Sequence, residues 1–554
     1  NIAIGFGAYD ASDTENDNIA IGYEAMTTNT AGGTQNVAVG NYALDALTSG
    51  DSNVAVGYNA LTGNTVSGEN TAIGAGTLTA ATGSLNTAVG YNALTVNTGA
   101  RNTAVGIEAG LTMTDGTYNT FVGERAGRLA TGNDNTFLGS QAGTTTSTGT
   151  SNVAVGRQAL TLNTTGSQNV AVGKDALDSN TTGADNVAMG TDALQACTTG
   201  SRNVAIGKDA LTTSHNGNDC VAIGKGALSA NTAGENIAVG TSAADANTSG
   251  VRNIAIGTNA YGASDTENDN LAIGHGTMST DTAGGTANVA IGNYTMDTLT
   301  SGDQNTGMGY QAMSAITSAS NCTSIGNWAG VDITTGIDNT LIGSFASHEI
   351  TDGQENTSVG RSAGTNITTG DYNLSLGALT RPSIAAAQGR ITLGYNLSNP
   401  TDNSIRMGGG GNYVTNTYTA NANWAHSSDE RLKENIEEDS LGLSFINDLR
   451  PVTFNWKKQK DIPNELKTEG TIIEKDTTTK MHGMIAQEVK SALDTAGATT
   501  FGGWKEDNSD GTQLISESMF IYPLINAIQE LSAKNGSLET SNQALIARIE
   551  ALEN

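Results

Sequence analysis

Proline is nearly absent from this chain: five residues in 554, none of them before position 382. Aromatic residues make up only 5%, too few for the several conventional cores that a chain of this length would otherwise hold. Cysteine is as scarce. Cys197, Cys220 and Cys322 are odd in number, far apart and without a CxxC pair, which excludes a disulfide framework and a zinc site. Basic side chains are outnumbered, 26 Lys and Arg against 55 Asp and Glu, for a formal net charge of -29. Such a surface repels nucleic acid and anionic membranes at long range and keeps an extended molecule soluble. No apolar run approaches the roughly 18 residues of a membrane span, so neither nucleic-acid binding nor membrane insertion is expected. The chain begins at Asn1, without Met and inside a repeat, so it is expected to be a fragment whose missing N-terminus holds a signal or an attachment domain.

Glycine is in excess, with 70 residues and no three-residue period, which excludes collagen and leaves repeats or disorder. The sequence resolves the choice. Asn1-Ile2-Ala3-Ile4-Gly5 returns as Asn18 to Gly22, Asn36 to Gly40 and Asn53 to Gly57, and the series ends at Asn373 to Gly377. There are 23 copies, spaced 16 to 18 residues apart. The fifth residue is always Gly, and the first is Asn except at Cys220 and Cys322. A longer stretch, Ala11 to Asn18, also returns as Ala263 to Asn270, fifteen coils later.

A period near 17 is too short for a pair of helices and suits one turn of a β-solenoid. Val, Ile and Thr at the second and fourth positions, with Ala or Ser between them, alternate as a strand does. The Gly marks a sharp turn or a close approach of backbones. Stacked Asn side chains form a ladder, in which Cys is a small buried substitute. With one strand spacing of roughly 4.8 Å per coil, the repeats make a rod of about 110 Å. One such coil encloses little apolar volume, so two further chains are expected beside it. The small face carrying Ala3, Ala20 and Ala38 is suited to close packing about the threefold axis. These repeats resemble the head repeats of trimeric autotransporter adhesins over residues 1 to 380, which implies left-handed parallel β-rolls in trimers.

The five Pro, at 382, 400, 451, 463 and 523, all follow the repeats. Arg390 to Gly394 reads as a strand, Met407 to Gly411 as a glycine-rich turn, and Tyr413 to Ala425 as extended chain, together a neck. From Ser428 the pattern turns to α+β. Leu441 to Leu449 has helical spacing, Arg450 to Trp456 reads as a strand, and Met481 to Val489 opens a second helix. Met519 to Asn554 is the longest helical pattern. Leu524, Leu531, Leu538, Leu545 and Leu552 fall seven apart, with Ile528, Asn535, Asn542 and Ile549 in the alternate seam positions. That seam predicts a parallel coiled coil whose Asn residues fix the register.

The expected architecture is therefore mainly β. A trimeric parallel β-solenoid shaft of about 23 coils covers 1–380 and a β neck covers 381–427. An α+β domain, 428–554, ends in a trimeric coiled coil over 519–554. Candidate chemistry is sparse. His215, His275, His348, His426 and His482 have no metal-binding spacing, and Asp-Gly pairs such as Asp115-Gly116 and Asp352-Gly353 are turn residues first. No cofactor and no metal is expected. Receptor contacts are expected where coils depart from consensus, as at Tyr118 to Phe137 and around Trp328, or in a missing terminal segment.

The most informative stretch is Ser427-Ser428-Asp429-Glu430-Arg431-Leu432-Lys433-Glu434-Asn435-Ile436. Three more motifs follow in order: Leu449-Arg450-Pro451-Val452 with Phe454 and Trp456, His482 to Val489, and the terminal heptads. Together they resemble the endosialidase-type intramolecular chaperones found at the C-termini of phage tail spikes and fibres. The resemblance implies a domain that trimerises, guides folding of the preceding β-structure and then cuts itself away. By matching residues, Ser428 is the nucleophile, Lys433 its base, and Ser427–Ser428 the bond cut. It implies a homotrimeric virion tail fibre, assembled in the host cytoplasm, with other phage tail proteins and a host-surface polysaccharide or outer-membrane component as partners. Three other readings stay open: a bacterial surface trimeric adhesin, a polysaccharide-degrading tail spike and an ice-binding solenoid.

Overall fold

The computed structural model describes residues 1–11, 15–29, 31–213, 216–263, 266–280, 285–418, 421–426, 429–458, 461, 478–507 and 511–553, with backbone only for 421–426 and 432. His215 lies outside these. The chain divides into two compact units, Asn1–Ser427 and Ser428–Asn554.

The first unit is a parallel β-solenoid. Its 23 strands, from β1 (Ile2–Ile4) to β23 (Leu374–Leu376), are three residues each. Each pairs with the next in register, as Val37, Ala38 and Val39 do with Val54, Ala55 and Val56. The strand is short because the Gly that follows it leaves the extended region. Gly57 has φ +138°, and a Cβ there would lie 2.5 Å from the carbonyl oxygen of Gly74 in the next coil. No side chain fits that approach.

Asparagine closes the other end of each strand. Asn53 donates its backbone N–H and its Nδ2 to Oδ1 of Asn36, at 2.8 and 3.0 Å, and Nδ2 also reaches the carbonyl of Ser67 at 3.0 Å. The two cysteine slots keep half of this pattern. Cys220 donates its backbone N–H to Asn203 Oδ1 at 3.0 Å and its Sγ–H to the carbonyl of Ala233 at 3.3 Å. Burial pushes the Cys197 and Cys220 thiols up to about 11, as expected of inert core groups.

The alternation along each strand points opposite to expectation. Ala20, Ala38 and Ala55 are fully buried inside their own coil, while the bulky residues flanking them face outward. The reason is volume. A coil this narrow holds Ala at most strand centres, beside one column of Leu or Met such as Leu44, Leu61 and Met296. Val122, Ile206, Ile223, Ile256, Ile325 and Ile342 are left as an exposed apolar stripe along the rod.

Where the strand centre is larger, the same coil gives way elsewhere. Phe121 and Phe137 replace Ala, are fully buried, and stack at 5.2 Å. Gly127 and Gly143 then stand where other coils carry Leu, and a Cβ at Gly127 would meet the Phe121 ring at 2.7 Å. These phenylalanines are core. Tyr118 and Trp328, from the same two candidate regions, remain substantially exposed.

The ladder also runs past position 380. β24 (Arg381–Pro382) pairs with β26 (Ser398–Asn399), while β25 (Ile391–Tyr395) joins β23 and then β27 (Ser404–Gly409), all in parallel. Arg390 takes the asparagine slot before β25. Its backbone N–H donates to Asn373 Oδ1 at 3.1 Å, and its buried guanidinium donates to Asp402 Oδ1 at 2.6 Å and the Asn399 carbonyl at 2.8 Å. The sheet turns antiparallel through β28 (Asn412–Thr417) and β29 (Asn421–His426). The glycine-rich turn is tighter than its sequence suggests, because Met407 to Gly409 already belong to β27 and Gly409 pairs with Asn412.

Four carboxylates, Asp45, Asp178, Asp245 and Asp297, share one position in their coils, where Thr62, Thr79 and Thr95 stand in others. Partial burial raises the pKa of all four. Among the described residues, Oδ1 of Asp45 and of Asp297 has no hydrogen-bond partner. A carboxyl raised in the folded state is easier to fold when protonated. These four therefore stabilise the shaft progressively as pH falls from their raised values toward the ordinary 3.8, and weaken it above that window. Glu108, Asp219 and Asp269, held low by hydrogen bonds from Arg125, Arg202 and Arg252, act in the opposite sense, but they are solvent-screened pairs of small effect.

Two outcomes are expected. Phe121→Ala costs about 3–5 kcal/mol in a denaturant titration, and adding Gly127→Leu, which restores the consensus coil, recovers most of it. Asp297→Thr raises the unfolding free energy at pH 8 by about 1 kcal/mol, and narrows the difference between pH 8 and pH 5.

Candidate functional site

The second unit begins at the motif that carries the proposed chemistry. Ser427 and Ser428 lie outside the described residues. From Asp429 the chain makes a single 3-10 turn, Glu430–Leu432. Asp429 caps it, accepting from the backbone N–H of Arg431 at 2.9 Å and from its guanidinium Nε at 3.0 Å. That side-chain bond is the first cause holding the Asp429 carboxyl below its ordinary value. Lys433 ends the turn by donating its backbone N–H to the Glu430 carbonyl at 3.0 Å. Its side chain is exposed. Residues 433 to 440 continue as exposed chain.

This arm is rooted in a small core. Leu441 is buried, and Nδ2 of Asn526 donates to the carbonyls of Asp439 and Leu441 at 3.0 and 3.1 Å. α1 (Leu443–Asp448) contributes Phe445, whose ring packs with Phe501 and Phe520 at centroid distances of 5.9 and 6.3 Å. α2 (Ala486–Thr495) adds Val489, Ala492 and Leu493.

The motifs fall partly as expected and partly not. The strand entered through Pro451 is β30 (Val452–Phe454), which pairs antiparallel with β31 (Met481–Gly483), Phe454 opposite Met481. The stretch from Met481 to Val489 is therefore not one helix. Its first three residues complete a hairpin, Ile485 is still extended, and the helix starts at Ala486. An ion pair ties these motifs together: Arg450 Nε donates to Glu488 Oε2 at 3.1 Å and holds that carboxyl below its ordinary value. Both residues stand inside the sequence motifs, but nothing in their spacing indicates that they meet. A second hairpin joins β32 (Trp504–Glu506) to β33 (Gln513–Ile515).

α3 (Ile521–Glu553) is the terminal helix, with Pro523 in its first turn, where a missing N–H costs nothing. Its heptad seam is unpartnered: Leu524, Leu531, Ile528, Leu538, Leu545 and Ile549 are all exposed, and Leu552 is 84% so. Among the described residues no group of His, Cys, Asp and Glu has metal-binding geometry, and no helix is long and apolar enough to cross a membrane.

Searches of curated proteins and of solved structures returned no match. A family model described as chaperone of endosialidase matches residues 428–498. The region that opens at the 3-10 turn and includes α1, α2 and their joining hairpin is thus similar to the endosialidase chaperone, and it follows directly on a β-solenoid.

Proposed function

We propose that the chain is a homotrimeric tail fibre of a bacteriophage virion, assembled in the host cytoplasm. Its shaft attaches to other tail proteins and to a host-surface polysaccharide or outer-membrane component. The observation that carries this reading is the chaperone match over 428–498, placed immediately after a solenoid and before an unpaired heptad helix. A helix with five exposed leucines in register gains its stability by packing on copies of itself. The outward stripe of Val and Ile along the solenoid supports association of shafts, because an apolar surface of that length marks an interface. In this reading the stripe, and not the alanine face, lies toward the threefold axis.

Self-cutting follows from the same assembly. A Ser hydroxyl attacks only when a base takes its proton, and a Lys amine accepts one near neutral pH only when burial or a neighbouring charge lowers its pKa. In this reading burial of Lys433 in the assembled trimer supplies that shift. Lys433 Nζ then takes the proton of Ser428 Oγ, and Oγ attacks the carbonyl carbon of Ser427. The C–N bond of Ser427–Ser428 breaks as the proton passes to the leaving amine, giving an ester on Ser428 Oγ. Water hydrolyses that ester, leaves a carboxylate on Ser427 and restores the Ser428 hydroxyl.

Two measurements decide this. Native mass spectrometry is expected to report three shafts per particle; a monomer overturns the reading. On a denaturing gel the parent chain separates into shaft and chaperone, whereas Ser428→Ala and Lys433→Ala stay full length. Identical band patterns for parent and variants remove the dyad.

A further inference from the structure

The duplication that repeats Ala11 to Asn18 at Ala263 to Asn270 carries more than that stretch. At the same displacement, Tyr23, Tyr42 and Tyr58 answer to His275, Tyr294 and Tyr310. Each trio forms a ladder of rings on the solenoid surface. Tyr23 and Tyr42 lie 5.5 Å apart by ring centroid and cross at 74°, and Tyr42 and Tyr58 lie 6.0 Å apart at 85°. His275 and Tyr294 lie 5.3 Å apart at 85°, and Tyr294 and Tyr310 6.1 Å apart at 89°. Tyr58 is 56% exposed and Tyr310 47%. Beside each middle ring stands an exposed asparagine. Asn41 Oδ1 accepts from the backbone N–H of Tyr23, and Asn293 Oδ1 from that of His275, both at 3.0 Å. Each amide is thus anchored at its oxygen, and among the described residues its Nδ2 has no partner.

The rings persist where their surroundings do not. The buried Ala43, Leu44, Ala55 and Leu61 become Thr295, Met296, Gly307 and Met313 in the second copy, while the exposed Tyr58 stays tyrosine as Tyr310. Nor does the coil require them. In the ten coils from Gly106 to Gly257, the two positions after the strand glycine hold no aromatic residue. Tyr42 and Tyr294 have φ of +62° and +57°, a conformation that suits the asparagine found there as Asn59, Asn92 and Asn259 better. An interface that runs the length of the shaft, as the Val and Ile stripe does, has no use for rings confined to two places.

Charge and chemistry select the ligand. No Lys or Arg occurs in residues 1–100 or 253–360, whereas nine occur between them, so an anionic ligand finds no cation at either ladder. The ring faces carry partial negative charge that attracts C–H groups, and the amides supply hydrogen-bond donors beside them. An uncharged saccharide, with C–H faces and a rim of hydroxyls, matches both.

We propose that each ladder binds an uncharged saccharide chain, so that every polypeptide carries the site twice, fifteen coils or roughly 72 Å apart. Tyr42 with Tyr58, and Tyr294 with Tyr310, pack on the sugar rings, while Asn41 and Asn293 donate to hydroxyls. The inference rests on the host attachment proposed above and gives it a place and a ligand class. When both sites meet one polysaccharide-coated surface, the second contact is intramolecular, and the pair holds far more tightly than either alone.

The test uses the full chain on an array of neutral and anionic oligosaccharides, followed by calorimetric titration of the neutral one that binds most tightly. Two variants replace the rings with residues that other coils hold at the same positions: Tyr42→Asn with Tyr58→Thr, and Tyr294→Asn with Tyr310→Thr. The parent is expected to take two oligosaccharides per chain and each variant one, at the parent affinity. All four substitutions together abolish binding, while native mass and denaturation midpoint stay those of the parent. On a surface coated with that sugar, each double variant dissociates at least tenfold faster. Asn41→Ala with Asn293→Ala, which leaves every ring in place, weakens both sites at least fivefold. A trimer that binds no neutral sugar, binds anionic ones as well, or keeps its stoichiometry in the variants overturns the ladders and leaves the fibre reading standing. Association of trimers with one another that the four ring substitutions abolish overturns them too. A monomer overturns the fibre reading instead.

Discussion

The solenoid depends on how closely one turn of backbone can lie on the next. At the glycine after each strand the approach leaves no room for a Cβ, and at the asparagine before it the amide bonds to both the previous coil and the following one. These two columns fix the rise and the register of every strand between them. The rest follows from the space they leave. A small residue, most often alanine, takes the strand centre, leucine or methionine fills the remaining gap, and β-branched residues are pushed outward. A phenylalanine enters only where the same coil supplies a glycine, because a packed interior tolerates a change of shape but not of volume.

Much of this was legible in the sequence, because glycine and asparagine at fixed spacing have one economical explanation. What was not legible arises from tertiary constraint. Asn59, Leu61 and Glu69 have φ of +57°, +55° and +61°, a conformation that no leucine or glutamate announces. Leu61 is held there because its N–H bonds to the Thr77 carbonyl in the next coil at 3.0 Å while its side chain fills the core. The inward face was misjudged because alternation shows that two faces differ, not which one a narrow tube can hold. Arg390 was read as part of a neck, although Arg390-Ile391-Thr392-Leu393-Gly394 keeps the repeat in every position but the first. Its guanidinium replaces the asparagine amide by reaching Asp402 and the Asn399 carbonyl.

The C-terminal unit obeys different rules. Its order of motifs was readable, and the exposed turn that Lys433 closes was not. The pairing of β30 with β31 was not readable, since Met481 to Val489 has the composition of a helix start and only the hairpin partner at Phe454 pulls its first residues into a strand. The two units differ in self-sufficiency. The solenoid buries a continuous column of its own side chains, whereas α3 exposes nearly its whole seam and buries only Pro523 and Ala527.

The asparagine column restricts how such a shaft can change length. The turns absorb one residue more or less, as coils of 16 and 18 residues in register show, but a larger segment that is not a whole turn would carry every later asparagine off its predecessor. Growth and loss are therefore confined to integral numbers of coils. The stretch Ala11 to Asn18, returning as Ala263 to Asn270 after fifteen complete coils, has the form that recombination between equivalent turns would leave. Reach is adjusted in quantised steps, each of one strand spacing.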